Sequence, residues 1–274
     1  MPTFKKVNKK DLEILQNFGY YFDDVKTQYE ITRMKGECTL ILFNSNKLLI
    51  QGKDNKVKEL VTLLKNEKVG EYVEPINFVK EEGVVIGTDE AMKGDTFGGL
   101  IVAGVKADDK TRENLLLIGV GDSKKIKDED IQGMAKRIKE IVCHHIISLS
   151  ANQYNILIEE LGNVTKLLNR MHQQCIDKLD FHDLAVVDKY PGCNVGKAMT
   201  KAESKYIEVA AASILARDET LKQFRKMSKE LKFTVPKGST TVKEEVMKIP
   251  KDKLKKYVKL HFKNVQQLFP IYRH

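Results

Sequence analysis

The hydrophobic and polar positions change period several times along the chain, and each change marks an element. Residues 8–18 (NKKDLEILQNF) carry apolar side chains at helical spacing. From Gln28 to Gln51 the pattern breaks into short β-type runs, punctuated by Lys35-Gly36 and Asn44-Ser45-Asn46; Val57, Leu60, Val61 and Leu64 then mark one helix face. This predicts a small α+β domain over residues 1–75. Around Pro75 and the charged run Lys80-Glu81-Glu82-Gly83 no period is visible, which places a linker at 76–82 and a second domain at 83–274.

The second region opens with an apolar run at Val84-Val85-Ile86, a turn rich in Gly and Asp, and a second run from Leu100 to Val105, the pattern of a long hairpin. A helix is predicted from Asp128, with that residue as its N-cap, followed by a strand over His145–Leu149 and helices near 152–161 and 164–179. Leu184–Val187 reads as a short buried strand ending on Asp188, and Tyr206–Leu231 as a long helix with a small-residue face at Ala210, Ala211 and Ala212. Strands alternating with helices after an initial hairpin predict an α/β fold, a mixed sheet flanked by helices.

Composition narrows the class. With 42% hydrophobic and 31% charged residues in 274, the chain is neither disordered nor fibrous. No stretch approaches the ~20 apolar residues that span a bilayer, and MPTFKKVNKKDLE lacks the apolar core of a signal peptide, so no membrane partner and a cytoplasmic location are expected. Cys38, Cys143, Cys175 and Cys193 show no CxxC spacing and are expected as free thiols. The net charge is +9, and between Lys222 and Lys263 fourteen Lys or Arg face four acidic residues, so the excess collects in one C-terminal segment suited to a phosphate backbone.

Acids fall where strands end: Asp89 and Glu90 after the first strand, Asp188 after the later one. A carboxylate there sits at the sheet edge where ligands bind, on a rigid element. Taken singly, each is more often a turn or a cap than a metal ligand. Gathered together they would repel one another unless cations joined them, and oxygen-only ligation favours Mg²⁺ or Mn²⁺. Cys143-His144-His145 and His172-x-x-Cys175 match no common zinc spacing, and His172 and His261 read as packing or hydrogen-bonding within helices.

The segments IGTDEAMKGDTFGGL, GVGDSKK, NQYN with the later Asn163 and His172, VVDKYPG, TKAESK followed by VAAASILAR, VPKGST and KLHFKN resemble, in order, the type 2 ribonuclease H superfamily, and within it the ribonuclease HIII family. LFNSNKLLIQGK is similar to the strand pair of that family's TBP-like substrate-binding domain. The resemblance implies a ribonuclease H-like catalytic domain, and an endonuclease that hydrolyses the RNA strand of RNA/DNA hybrids to leave 5′-phosphate and 3′-hydroxyl ends. It implies four carboxylates, Asp89, Glu90, Asp188 and Glu203, holding two divalent ions, Mg²⁺ or Mn²⁺, with Asp89 as the bridge. It also implies that Ala91, Met92, Lys93 and Gly94 read the RNA 2′-hydroxyl and that Ser123 and Lys124 grip phosphates. A monomer is expected.

Two departures stand out: Met92 replaces a glycine of the family pattern, and Lys189-Tyr190 replaces an uncharged residue and Phe. Two alternatives compete. One is incision at single ribonucleotides in duplex DNA, as by ribonuclease HII; the other is a hybrid-binding protein without catalysis, against which all four carboxylates are present.

Overall fold

In the computed structural model, which describes residues 2–73, 78–121 and 126–272, the chain forms two units, Met1–Ile76 and Asn77–His274. The first holds strands β1 (Thr3–Lys5), β2 (Tyr21–Asp23), β3 (Glu30–Lys35), β4 (Thr39–Phe43), β5 (Leu48–Gln51) and β6 (Glu71–Val73), with helix α1 (Asp54–Asn66) before the last. They make an antiparallel sheet in the order β2-β3-β4-β5-β1-β6. Alternation sends Phe4, Met34, Leu40, Leu42, Leu48 and Ile50 to the face covered by Leu60, Val61 and Leu64 of α1. Residues Lys9–Phe18 coil as a 3₁₀ helix rather than an α-helix. Its buried Leu12 and Leu15 are three residues apart, the repeat that a three-residue turn aligns on one side. The three-residue strands β1, β2 and β6 are too short for any period to reveal.

The second unit contains β7 (Val85–Ala91), β8 (Ile101–Ala107), α2 (Asp109–Leu117), α3 (Asp128–Ile141), β9 (Cys143–Ser148), α4 (Ala151–Leu161), α5 (Val164–Leu179), β10 (Leu184–Asp188) and β11 (Lys197–Met199). The long helix α6 (Ile207–Leu231) follows, then short helices α7 (Lys243–Met247), α8 (Leu254–Tyr257) and α9 (Lys263–Leu268). Its sheet runs β11-β10-β7-β8-β9, an antiparallel meander β7-β8-β9 joined on the other side by β10 and β11 parallel to β7. The expected α/β architecture is thus present. Period-two alternation divides the sheet between two cores: Ile86, Val102 and Val187 pack with Leu168, Met171 and Cys175 of α5, whereas Ile101, Ala103 and Val105 pack with α3 and α6.

Gly87 shows why α6 carries small residues. A Cβ there would stand 2.3 Å from the Val209 amide nitrogen, so helix backbone lies directly on strand backbone. One local reading changes. Lys127, not Asp128, occupies the cap of α3, and the Asp128 carboxylate instead pairs with Arg217 (2.6 Å) and Lys237 (2.5 Å). Residues 78–83 pack on the second unit: the Val79 amide donates to Lys205 O, and buried Arg112 donates to the carbonyls of Glu81 and Gly83 while pairing with Glu208.

Candidate active site

β7 is longer than its apolar run suggested. It continues through Asp89 and Glu90 to Ala91, with Asp89 in register with Ala103 and Glu90 with Val102. The acids therefore lie within the strand's last turn of pleat, where alternation aims them to opposite sheet faces. Asp89 turns to the α6 side and accepts a hydrogen bond from the Ser213 hydroxyl. Glu90 turns to the α5 side, as does Thr88, whose hydroxyl lies 2.8 Å from His172 Nδ1.

Parallel pairing sets Val187 beside Thr88 and so brings Asp188 next to the acid pair. Glu203 arrives on a 3₁₀ turn, Ala202–Ser204, entered through left-handed Lys201. The Ala202 amide donates to Asp188 Oδ1 at 2.7 Å, tying this turn to the end of β10. All four expected carboxylates are thereby brought to one edge of the sheet.

Their electrostatics follow from burial and like charge. Asp89 is held well above the ordinary carboxylate range, first by burial, then by Glu90 and Asp188; the Ser213 and Glu90 donors oppose the rise. Asp188 is pushed up to about 6, mostly by burial and further by Glu203 and Glu90, against the Ala202 amide. Glu90 meets Lys93 Nζ at 3.4 Å, while its buried Oε2 stands 3.5 Å from His172 Nε2 without a hydrogen bond to any described residue. Among the described residues, no three carboxylate, imidazole or thiol groups stand close enough together to hold a metal ion as placed. The donor set suits a hard cation by charge and by chemistry, and its side chains are not at ligating separations.

His172 does more than pack within its helix. Fully buried, it joins Thr88 to the Glu90 side of the site and stacks on Tyr190 with centroids 5.2 Å apart. The Tyr190 hydroxyl donates to Asn169 Oδ1, so a tyrosine is accommodated in that place with its hydroxyl satisfied. The histidine's place among the motif segments was its only signal, since no spacing links it to Glu90. His261 does read as packing, set against Tyr154 and Phe262.

Beyond β7 the loop departs sharply. Met92 is buried at φ 66°, so the left-handed conformation is kept without the glycine that would adopt it freely. Lys93 is half-buried, and Gly94 is exposed, with nothing within 4 Å of where a Cβ would stand. Ala91 is the last residue of β7, and Ser123 and Lys124 lie outside the described residues.

The family model described as ribonuclease HII matches residues 86–265. The chain belongs to that family. It is 29% identical to a ribonuclease HIII of Bacillus cereus over 93% of this chain and 97% of that protein. Bst-RNase HIII, solved in complex with Mn²⁺, superposes with a TM-score of 0.61 at 23% identity over 100% of this chain and 99% of its own. The RNase HII of Archaeoglobus fulgidus, solved with PCNA, covers only 68% of this chain, at a TM-score of 0.56 and 25% identity. The chain is thus a type 2 ribonuclease H whose full-length likeness is to the HIII form, and the expectation of a ribonuclease H enzyme stands. Among the described residues no helix is long and apolar enough to cross a membrane.

Proposed function

We propose that the chain is an endonuclease that hydrolyses the RNA strand of RNA/DNA hybrids, with two divalent ions, Mg²⁺ or Mn²⁺, held by Asp89, Glu90, Asp188 and Glu203. The observation that carries this is the gathering of four acids on rigid elements at one sheet edge, where Glu90 meets Lys93 and His172 and two of the acids are displaced upward in pKa. Cations are the natural remedy for carboxylates that are buried and also repel one another. When bound, a pair of ions supplies a nucleophilic water and stabilises charge on the scissile phosphate.

The protein's own groups do the rest. Asp89, fixed by strand pairing and by Ser213, Glu90, oriented between Lys93 and His172, and Asp188, oriented by the Ala202 amide, would hold the ions together with Glu203. Water adds to phosphorus, the bond to the ribose 3′-oxygen breaks, and 5′-phosphate and 3′-hydroxyl ends result. The open backbone at Lys93-Gly94 is suited to meet a 2′-hydroxyl, which can both donate and accept. Ser123 and Lys124 contact neighbouring phosphates in this reading, and the N-terminal unit binds the duplex.

Cleavage with Mg²⁺ or Mn²⁺ of an all-RNA/DNA hybrid and of a DNA duplex carrying one ribonucleotide tests the proposal. The hybrid is the expected preferred substrate. Preference for the single ribonucleotide would move the protein to the HII type of activity, and metal-independent cleavage of either would refute the carboxylate assignment.

A further inference from the structure

The left-handed turn at Met92 is held from another part of the chain. Lys259 is fully buried, and its Nζ donates to Met92 O at 2.6 Å and also to Asp95 O. These carbonyls are the two ends of a four-residue turn that the Asp95 amide closes onto Met92 O at 3.3 Å. The ammonium thus lies beneath the turn and pins both ends. Its flanks are the rings of Tyr154 and Phe262, each 5.2 Å from Nζ.

Nearby bonds hold the frame around this pin. The Lys259 amide donates to Thr96 O, the Thr96 amide to Gly238 O, the Gly238 amide to Asp95 Oδ1 and Asn264 Nδ2 to Thr96 Oγ1. The Met92 side chain has a seat of its own: a Cβ on Gly98 would stand 2.1 Å from Met92 Cε.

A non-glycine residue at positive φ persists only where its surroundings over-determine it. A lysine costs more to bury here than an apolar residue of similar shape, and burial draws its pKa down to about 7 despite the Asp95 carboxylate. The carbonyls it serves give a cationic side chain a reason to be there. His261 and Tyr154 are also titratable neighbours: burial lowers the His261 pKa and the lysine charge lowers it further, while burial raises that of Tyr154. Lys93, in the turn itself, reaches Glu90, so displacement of the turn is felt at the acids.

We propose that Lys259 is a positioning residue for substrate selection: by pinning the carbonyls of Met92 and Asp95 it lets a methionine hold the left-handed turn and aims the Lys93-Gly94 backbone at the RNA strand. This rests on the reading of the loop given above. The experiment is a mutant cycle of Lys259→Met and Met92→Gly in the full chain. It measures kcat and KM on the hybrid, the ratio of hybrid to single-ribonucleotide cleavage, and metal-free amide hydrogen exchange at Asp95 and Thr96.

Lys259→Met is expected to lower kcat about tenfold or more, to change the substrate ratio, and to speed exchange at Asp95 about tenfold while β7 and β8 amides hold. With Met92→Gly already present, the same substitution should cost about threefold or less, because glycine keeps the turn without the pin. Equal losses in both backgrounds, or unchanged exchange, would overturn the proposal. Should Lys259→Met fold only together with Met92→Gly, that rescue is the expected coupling; failure of both to fold would assign the lysine to general stability and overturn it. A wild-type chain that cleaves neither substrate defeats the functional reading alone, and the exchange comparison still judges the lysine.

Discussion

The acids of β7 and the turn that follows them are a single residue apart in sequence, and they are held by different means. Asp89 and Glu90 inherit their positions from strand register: Ala103 and Val102 oppose them across the hairpin, and parallel β10 delivers Asp188 alongside. The turn from Met92 to Asp95 has no such ladder. It is fixed by the Lys259 side chain and the Gly238 backbone, with Asn264 holding the adjoining Thr96, all from the C-terminal segment. On the function proposed above, the acids that would carry the chemistry are therefore built on the regular lattice, and the turn that would choose the substrate hangs on contacts that can be altered one at a time.

The largest expected effect lies on the strand side. Asp89→Asn keeps the shape and the Ser213 contact but removes the charge that two cations would share, and should lower kcat by on the order of 10³-fold. Binding of hybrid measured with chelator present should survive. Activity close to wild type would show that the acids of β7 are not the reaction centre.

This contrast also explains what could be read from the chain. Asp89, Glu90 and Asp188 were legible because apolar runs announce strands and an acid at a strand's end is visible locally. The strand extended further than the apolar run, because Thr88, Asp89 and Glu90 still pair with β8 although their side chains are polar. Helix α2 escaped notice since its apolar residues cluster at Leu115, Leu116 and Leu117 instead of recurring, and Asp108 caps it through the Thr111 amide. Lys259 was unreadable in principle. Its partner Met92 lies 167 residues away, and in sequence it is one more lysine in a basic segment. That segment is also less free than its count suggests, because Lys222 pairs with Asp218, Lys237 with Asp128 and Lys256 with Glu230.

On the loop side, the next largest effect belongs to Asn155. Its Nδ2 donates to the carbonyls of Val258 and Lys255, and its Oδ1 accepts from the Leu260 amide, so it braces the residues on either side of Lys259. Asn155→Ala leaves buried backbone groups without their partners and should cost about 2 kcal/mol, seen as a fall of several degrees in Tm. An unchanged Tm would mean that the segment is braced elsewhere and that the contrast between ladder and clamp is overdrawn.

Asp188 allows a smaller test of the acids themselves. Its pKa is raised from 3.8 to about 6, so the folded state holds a proton that the unfolded chain releases across that interval. The sign is then fixed: without metal, stability falls as pH rises from about 4 to about 6 and stays lower above it, and Asp89 acts in the same direction. Asp188→Asn should leave stability near pH 4 little changed and raise it on the order of 1–2 kcal/mol at pH 7.5 in chelator, by denaturant titration. Divalent ions should narrow the gap by stabilising the wild-type chain alone. A variant less stable than wild type at pH 7.5 without metal would mean that the Ala202 bond, and not the burial and repulsion of the charge, governs this position.

The smallest effect is expected at Met92, where two terms oppose. Glycine would relieve the left-handed backbone, worth about 1–2 kcal/mol. It would also remove a buried side chain whose loss ordinarily costs about 2–5 kcal/mol. Gly94, two residues on, is exposed with nothing within 4 Å of its Cβ position, and this room to relax favours the lower end of that range. Met92→Gly should therefore be destabilising by about 1 kcal/mol or less, a shift of a few degrees at most in Tm. A loss of several kcal/mol would make the methionine a core residue first and a turn residue second, and the clamp beneath it would then be secondary to packing. A clear gain in stability would show that Lys259 alone holds the turn and that the side chain above it contributes only strain.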